Sequence, residues 1–500
     1  MITLGIIAIF GLIILLISLY GYKISAKTPE DYMVASRKIG VAVMFFFVLF
    51  AVSSAWTFYG YPGFLYRHGP FYVYFVWGCV ASFAGLYMFL GPRLWAVARL
   101  NNFLSPIEVI AERYDSRALR LIISSLLLVF IVPYIGIQPL GVGLGFQALT
   151  GIHPVFGIVY TTVLLVLIVF LGGMRTTAWT NVFLGTIYIV AFLGSLVWVI
   201  YRVFPGGLHQ AVSIVECHFP QLLTAPGPEG YFKPITIGGA FIVGLMGFAW
   251  PHVVIATLTA QDKTVFKWLP LLAIVVGGLG FYTIPFLWGA VVAPAISHMP
   301  GTVVPPVSGL EADNIVQTII THYLPRWFAG FVLIGVIAAA VSTAAVQLMT
   351  SAIFVSRDVI HGGLKKKMPP ERMVLVTKLA VIGLILVSLV IAVRYGMALA
   401  LYLTRIAVPG FAQWATPLVG AVLWRRSTKQ GAMCGMIGGT AYLVLGYFYP
   451  PAVFHLENPL IPALVVNVIL FVVVSVLTPR PDEDTISRFY DEVDEYLETQ

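Results

Sequence analysis

Ser342 and Thr343 stand side by side behind three alanines in the stretch GVIAAAVSTAAVQLMTSAIFVSRD, Gly335 to Asp358, which is apolar enough to lie in a bilayer. On a helix, Ala339, Ser342, Thr343 and Val346 fall at i, i+3, i+4 and i+7 and share one face. Two hydroxyl oxygens flanked by small side chains let a second backbone approach closely. Neutral oxygens at short range suit a hard monovalent cation such as Na⁺. The competing reading is packing, in which Ser and Thr bond back to their own turn or bridge to a neighbouring helix.

Other polar groups also sit inside apolar runs. Arg405, in ALYLTRIAVPGFAQWATP, is a charge whose burial is costly unless it is paired or hydrated. All 21 acidic residues lie in loops or at the ends of apolar runs. The natural partner of Arg405 is therefore an anion from outside, such as a carboxylate held by its guanidinium fork. Its alternative is to snorkel to the outer interface, about one to two turns away. Tyr134 and Gln138 are i, i+4 neighbours whose polar ends can face one cavity or a neighbouring helix. His252 follows Pro251 in an apolar run and is the one titratable candidate near a helix break, the alternative being a hydrogen-bonded structural role.

The elements that must position these groups are membrane spans. Hydrophobic residues make up 59% of the 500, and charged residues 10%, which is the composition of a polytopic all-α membrane protein. At about 20 apolar residues per span, the chain offers thirteen, near 2–22, 41–66, 71–92, 119–146, 154–171, 179–203, 235–258, 268–296, 327–356, 374–394, 398–424, 431–449 and 460–478. The first has neither a basic leading region nor a small-residue cleavage pattern and reads as a span. Loops on one side carry 23 Lys and Arg, and those on the other carry five. That bias predicts an N-terminus outside and a C-terminus in the cytoplasm of a plasma-membrane protein. The net charge of +8 is then topological and does not imply nucleic acid. Of Cys79, Cys217 and Cys434, only Cys217 falls in an outside loop, so no structural disulfide is expected there.

Two runs are interrupted in the same manner. VAVMFFFVLFAVSSAWTFYGYPG carries Ser53, Ser54 and Thr57, then Gly60, Pro62 and Gly63; GGAFIVGLMGFAWPHVVIATLTAQDK carries Gly244, Gly247 and Pro251. Irregular backbone at membrane depth is tolerated where it lines protein or a watery cavity. Two broken spans in corresponding positions predict inverted five-helix repeats, 41–203 and 235–424, with a binding site between them; a simple kink is the alternative for the first. Within a transmembrane domain of 1–480, 2–22 is an extra span and 431–478 holds two more. NNFLSPIEVIAERYDSRALR reads as an amphipathic cytoplasmic helix with Glu108, Glu112 and Arg113 on its polar side. The acidic tail 481–500 reads as an amphipathic or disordered cytoplasmic end without an assigned function.

The segments PEDYMVASR, SSAWTFYGYPG, GGMRTTAWTN and AAAVSTAAVQLMTSAIFVSRD occur in an order that resembles the sodium:solute symporter family, over nearly the whole chain. VPYIGIQPLGVG and WPHVVIATLTAQD are most similar to its monocarboxylate permease branch. The resemblance implies the leucine-transporter-like fold and a sodium site made of the Ser342 and Thr343 hydroxyls with the Ala339, Phe50 and Ser53 carbonyls. The chain departs from the family at Asn181 and Leu184, where Asp and Gln are frequent.

Together these readings predict a secondary active symporter that couples Na⁺, as coupling ion, to import of a small organic acid by alternating access. The expected substrates are lactate, pyruvate or acetate, enclosed by Trp56, Thr57, Tyr134, Gln138, His252 and Arg405. The absence of a mid-membrane carboxylate favours sodium over protons. Symport of proline or a sugar, a proton-coupled carrier and an uncoupled facilitator are the alternatives. No metal-ligand cluster, nucleophile–base set or phosphate loop points to an enzyme.

Overall fold

The first core helix breaks at a serine pair. In the computed structural model, which describes residues 2–500 except 229, 303, 305–308, 365–367, 396–405 and 449–458, Val41–Val52 and Ala55–His68 meet at 72°. Ser53 (φ −90°, ψ 84°) leaves the helical region, and Ser54 is extended (φ −99°, ψ −175°). The Ser54 hydroxyl accepts from the Trp56 amide at 3.2 Å, the usual way a serine starts a helix. The break thus precedes Gly60, Pro62 and Gly63, which lie inside the helix Gly60–His68. The second break divides Pro234–Ala249 from Pro251–Thr257 at 46°. It falls at Trp250 (φ −71°, ψ 118°), where Pro251 disfavours a helical conformation of the residue before it.

All other regular structure among the described residues is helical, save one isolated parallel bridge between Ile39 and Ala260. Among the described residues, nine helices are long and apolar enough to span a membrane, or eleven if each bent pair is one span. The expected thirteen are not reached for two reasons. The spans 154–171 and 179–203 form one run, Pro154–Val203, turned at Gly173 (φ 60°, ψ −152°). Only a glycine fits there, since a Cβ would lie 2.5 Å from the Tyr32 carbonyl oxygen. The span 398–424 lies partly outside the described residues, and Val408–Leu423 is what remains of it.

Arg326–Ile353 is the central helix. In the longer run Arg326–Gly363, 94% of the most apolar stretch is buried, against 28% for Thr3–Ile24. Its alanines and Gly335 permit this, for a Cβ on Gly335 would come within 2.6 Å of Ala191. It packs on Arg117–Thr150, Gly172–Val203 and Val41–Val52, so the first break, Tyr134 and Gln138 all lie against one helix.

The Lys/Arg-rich side is closed by backbone pairing. The Ile39 amide donates to Thr259 O (3.1 Å), and the Gln261 amide donates to Ile39 O (3.0 Å). These contacts join the start of the first broken helix to the end of the second. Trp95 Nε1 donates to Ala260 O (2.9 Å) and Arg99 to Gln261 O (2.8 Å). On the helix Pro106–Arg113, Glu112 is exposed, whereas Glu108 and Arg113 are buried. Glu108 pairs with Arg357 (2.7 Å) and Arg120 (3.4 Å), and Arg120 pairs with Asp358 (3.0 Å), which satisfies charges that burial would otherwise penalise. The tail is folded. Its helical stretch from Glu483 to Thr499 buries Phe489, Tyr490 and Val493, stacks Phe489 on Phe103, and pairs Asp494 with Arg93. Cys79, Cys217 and Cys434 are free.

Candidate ion and substrate site

The central helix separates the two readings of its hydroxyls. Thr350, Ser351 and Ser356 bond back to carbonyls one turn earlier, on Val346, Gln347 and Ala352, as packing residues do. Ser342 bonds back to Ala339 O at 2.9 Å. Thr343 instead donates across the interface to Phe50 O at 3.0 Å. The helix break frees that carbonyl: the Ser53 amide still takes Leu49 O (3.1 Å), and the helix ends before Phe50 O can take the next amide. Ser342, Thr343, Ala339 and Phe50 are all fully buried, and Ser53 stands at the break with its hydroxyl on Leu49 O (2.6 Å). Four of the five expected oxygen donors are therefore joined in two hydrogen-bonded pairs. Every oxygen in the set is neutral, a donor chemistry that suits a monovalent cation.

Next to it lies a group of buried polar atoms without hydrogen-bond partners. Both ring nitrogens of His252, the Tyr134 hydroxyl, the Gln138 Nε2, the Thr57 Oγ1, the Trp250 Nε1 and both carboxamide atoms of Gln347 are unsatisfied. Buried polar groups are normally bonded, so a cluster of exceptions marks a place for a ligand or water. The Tyr134 ring is 6.3 Å from that of His252, which stacks on Trp250 at 5.7 Å. The Tyr134 phenol lies beside Ser54 and Gln347 without a well-formed hydrogen bond. Gln138 Oε1 accepts from the Ala55 amide (3.2 Å) and so pins the first residue after the break. Thr57 adjoins Tyr282, and Trp56, half-buried, stacks on Tyr61 at 5.5 Å. A narrow cavity lined by Val52, Trp56, Phe75, Cys79, Trp250 and Tyr282 opens beside the two breaks, and of the unsatisfied groups Trp250 lines it. Arg405 lies outside the described residues.

Sequence reasoning missed Gln347, Trp250, Tyr282 and Trp414. Gln347 had a signal, being a polar residue in a span one turn after Thr343. Trp414 Nε1 donates to Ala249 O at 2.6 Å and so satisfies a carbonyl at the second break; nothing in its local sequence marks that contact.

The model of the sodium:solute symporter family matches residues 32–439. The chain belongs to that family. It is accordingly a multi-pass membrane transporter and not an enzyme, and it couples Na⁺ to the movement of a small organic solute. It is 24% identical to a sodium/proline symporter of Haemophilus influenzae over 97% of this chain and 95% of that one. A sodium/proline symporter of Staphylococcus aureus is also 24% identical, over 95% and 92%. Among solved structures, the substrate-bound outward-open state of a Na⁺-coupled sialic acid symporter superposes with a TM-score of 0.83 at 19% identity, over 97% of this chain and 99% of that one. A nucleobase-cation-symport-1 family transporter in a closed conformation gives 0.57 at 16% identity, over 92% and 98%. The fold of the symporter is thus that of the sialic acid carrier.

Proposed function

We propose that this symporter imports a small monocarboxylate, such as lactate, pyruvate or acetate, with Na⁺ by alternating access. The observation that carries the reading is the cluster of unsatisfied groups at the two breaks: Thr57, Tyr134, Gln138, Trp250, His252 and Gln347 can donate, and none is an acid. A carboxylate accepts about four hydrogen bonds, so such a lining suits it and offers an ammonium no counter-charge. The ion is assigned to the carbonyls of Phe50, Ser53 and Ala339 and the hydroxyls of Ser342 and Thr343. Because these oxygens are neutral, Na⁺ keeps its full charge. An anion bound about a helical turn away offsets it, which lowers the cost of carrying either through a low-dielectric interior. Trp56, Thr57, Tyr134, Gln138 and His252 line the solute, and Arg405 is assigned to the same site on its charge alone.

The Lys/Arg-rich side is read as the cytoplasm of a cell whose plasma membrane holds the protein, with the N-terminus outside and the C-terminus inside. The halves 41–203 and 235–424, each opened by a bent helix, are read as inverted repeats within the 1–480 domain.

A second reading is proline, favoured by the two named relatives; proline shares the carboxylate but adds a cationic nitrogen. Uptake of labelled lactate, pyruvate, acetate and proline into proteoliposomes distinguishes the two. An inward Na⁺ gradient is compared with choline and with a proton gradient alone. Accumulation of a monocarboxylate under Na⁺ only is the expected result. Accumulation of proline alone replaces the substrate, and proton-driven uptake indifferent to Na⁺ overturns the ion assignment.

A further inference from the structure

Gln347 is four residues past Thr343, so the two side chains leave one face of the central helix one turn apart. At 1.5 Å per residue, that is about 6 Å along the axis. Gln347 is fully buried, and neither its carboxamide oxygen nor its nitrogen has a hydrogen-bond partner. Its neighbour, the Tyr134 phenol, lies beside Gln347 and Ser54 without a well-formed hydrogen bond to either. Two adjacent polar groups that make no well-formed bond in an apolar interior keep hydrogen-bonding capacity for a third.

Thr343 and Gln347 also face consecutive parts of the same break. Thr343 holds Phe50 O just before it, while Tyr134, at the side of Gln347, adjoins Ser54 just after it. Gln138, a turn along from Tyr134, fixes the Ala55 amide. A cation that replaces the Thr343–Phe50 hydrogen bond and binds both oxygens therefore resets the distance from Ser54 and Tyr134 to Gln347, because the central helix between Thr343 and Gln347 is rigid.

We propose that Gln347 is a solute-binding residue that couples the two sites: its carboxamide, with the Tyr134 hydroxyl, holds the polar head of the solute, and its register with Thr343 makes ion and solute binding mutually reinforcing. This rests on the ion assignment above. It adds that coupling passes through one helical turn and not through a distant gate. The coupling is reciprocal, so whatever factor Na⁺ contributes to solute affinity, the solute contributes to Na⁺ affinity.

The test uses the full chain in proteoliposomes with whichever of lactate, pyruvate, acetate and proline the unaltered protein accumulates. In Gln347→Met, which keeps the length and removes the hydrogen bonds, the solute KM rises at least tenfold. Binding of ²²Na⁺ without solute stays within twofold, and the enhancement of that binding by solute disappears. Gln347→Glu, which adds a negative charge, abolishes uptake of an anion. Should Gln347→Met be lost from the membrane, Gln347→Asn supplies the same constants, with an intermediate rise in KM. An unchanged KM overturns the proposal. So does a loss of Na⁺ binding as large as the loss of solute affinity, which marks a structural role. If proline is the solute, the monocarboxylate reading falls while Gln347 is judged by the same constants. If uptake ignores Na⁺, the ion assignment and the coupling fall together.

Discussion

The Thr343 hydroxyl donates to the Phe50 carbonyl at 3.0 Å, joining positions 293 apart in the sequence at the point where the first core helix ends. Binding a cation there requires the hydroxyl proton to turn away so that both oxygens face the ion. Thr343→Val keeps the shape and removes one oxygen. Loss of one such contact, worth about 1.4 kcal/mol, raises the half-saturating Na⁺ concentration about tenfold. Thr343→Ser retains the oxygen and stays close to the unaltered protein. Sodium titration of uptake at saturating solute checks both; equal Na⁺ dependence in Thr343→Val removes Thr343 from the ion site.

The broken helices and the central hydroxyl face were legible because each has a local cause: a serine pair that caps a helix, a proline that forbids one, and oxygens at i and i+1 on an alanine-rich surface. What the sequence concealed was long-range pairing. Glu108 and Arg113 look like a solvated face on their own helix; their partners, Arg357, Arg120 and Tyr490, come from other parts of the chain. The same is true of Trp414, whose role depends on a carbonyl 165 residues away. Gln347 carries a signal in the sequence as a polar residue in a span, but that neither of its carboxamide atoms has a partner shows only in the packing.

Gln138 is expected to act through the backbone as well as through the solute. Its Oε1 is the acceptor for the buried Ala55 amide at the start of the second half-helix. Gln138→Leu strands that amide, a penalty of about 1–3 kcal/mol. Thermal unfolding in detergent should fall by several degrees even without solute. Gln138→Glu keeps an acceptor and should recover most of the loss. A Gln138→Leu variant as stable as the unaltered protein would show that the amide finds another acceptor.

Asp313 supplies a pH dependence of known sign. It pairs with Arg67 at 3.2 Å, yet burial outweighs the guanidinium and pushes its carboxyl up to about 6. A folded-state value above the unfolded one means the folded protein binds more protons between about pH 4 and 6. The contribution of this group to stability is therefore greatest below that window and is lost as pH rises through about 6. Asp313→Asn carries no such charge. Melting temperatures of the two proteins should agree most closely near pH 4, and the unaltered protein should lose ground to Asp313→Asn by pH 7.5. A difference independent of pH, or of opposite sign, refutes the assignment.

The folded tail should hold the Lys/Arg-rich side shut. Tyr496 packs on Trp95 with ring centroids 5.8 Å apart, and the Trp95 indole holds Ala260 O, whose residue is bridged to Ile39. Arg488 Nε donates to Asn101 Oδ1 at 2.6 Å, and Arg425 pairs with Asp491 at 2.8 Å. Opening this side must part Ile39 from Ala260, and the tail is fastened to the tryptophan that fixes one of them. Such a strap biases a two-state equilibrium only by what it contributes to the closed state. Tyr496→Ala combined with Phe489→Ala is expected to shift the equilibrium toward opening. The readout is thiol labelling of Gln261→Cys from that side, in protein whose three native cysteines are replaced. Labelling should quicken severalfold in the altered protein when the two are compared at the same Na⁺ and solute concentrations. Equal labelling rates with and without the tail contacts at every ligand concentration would leave the tail as packing alone.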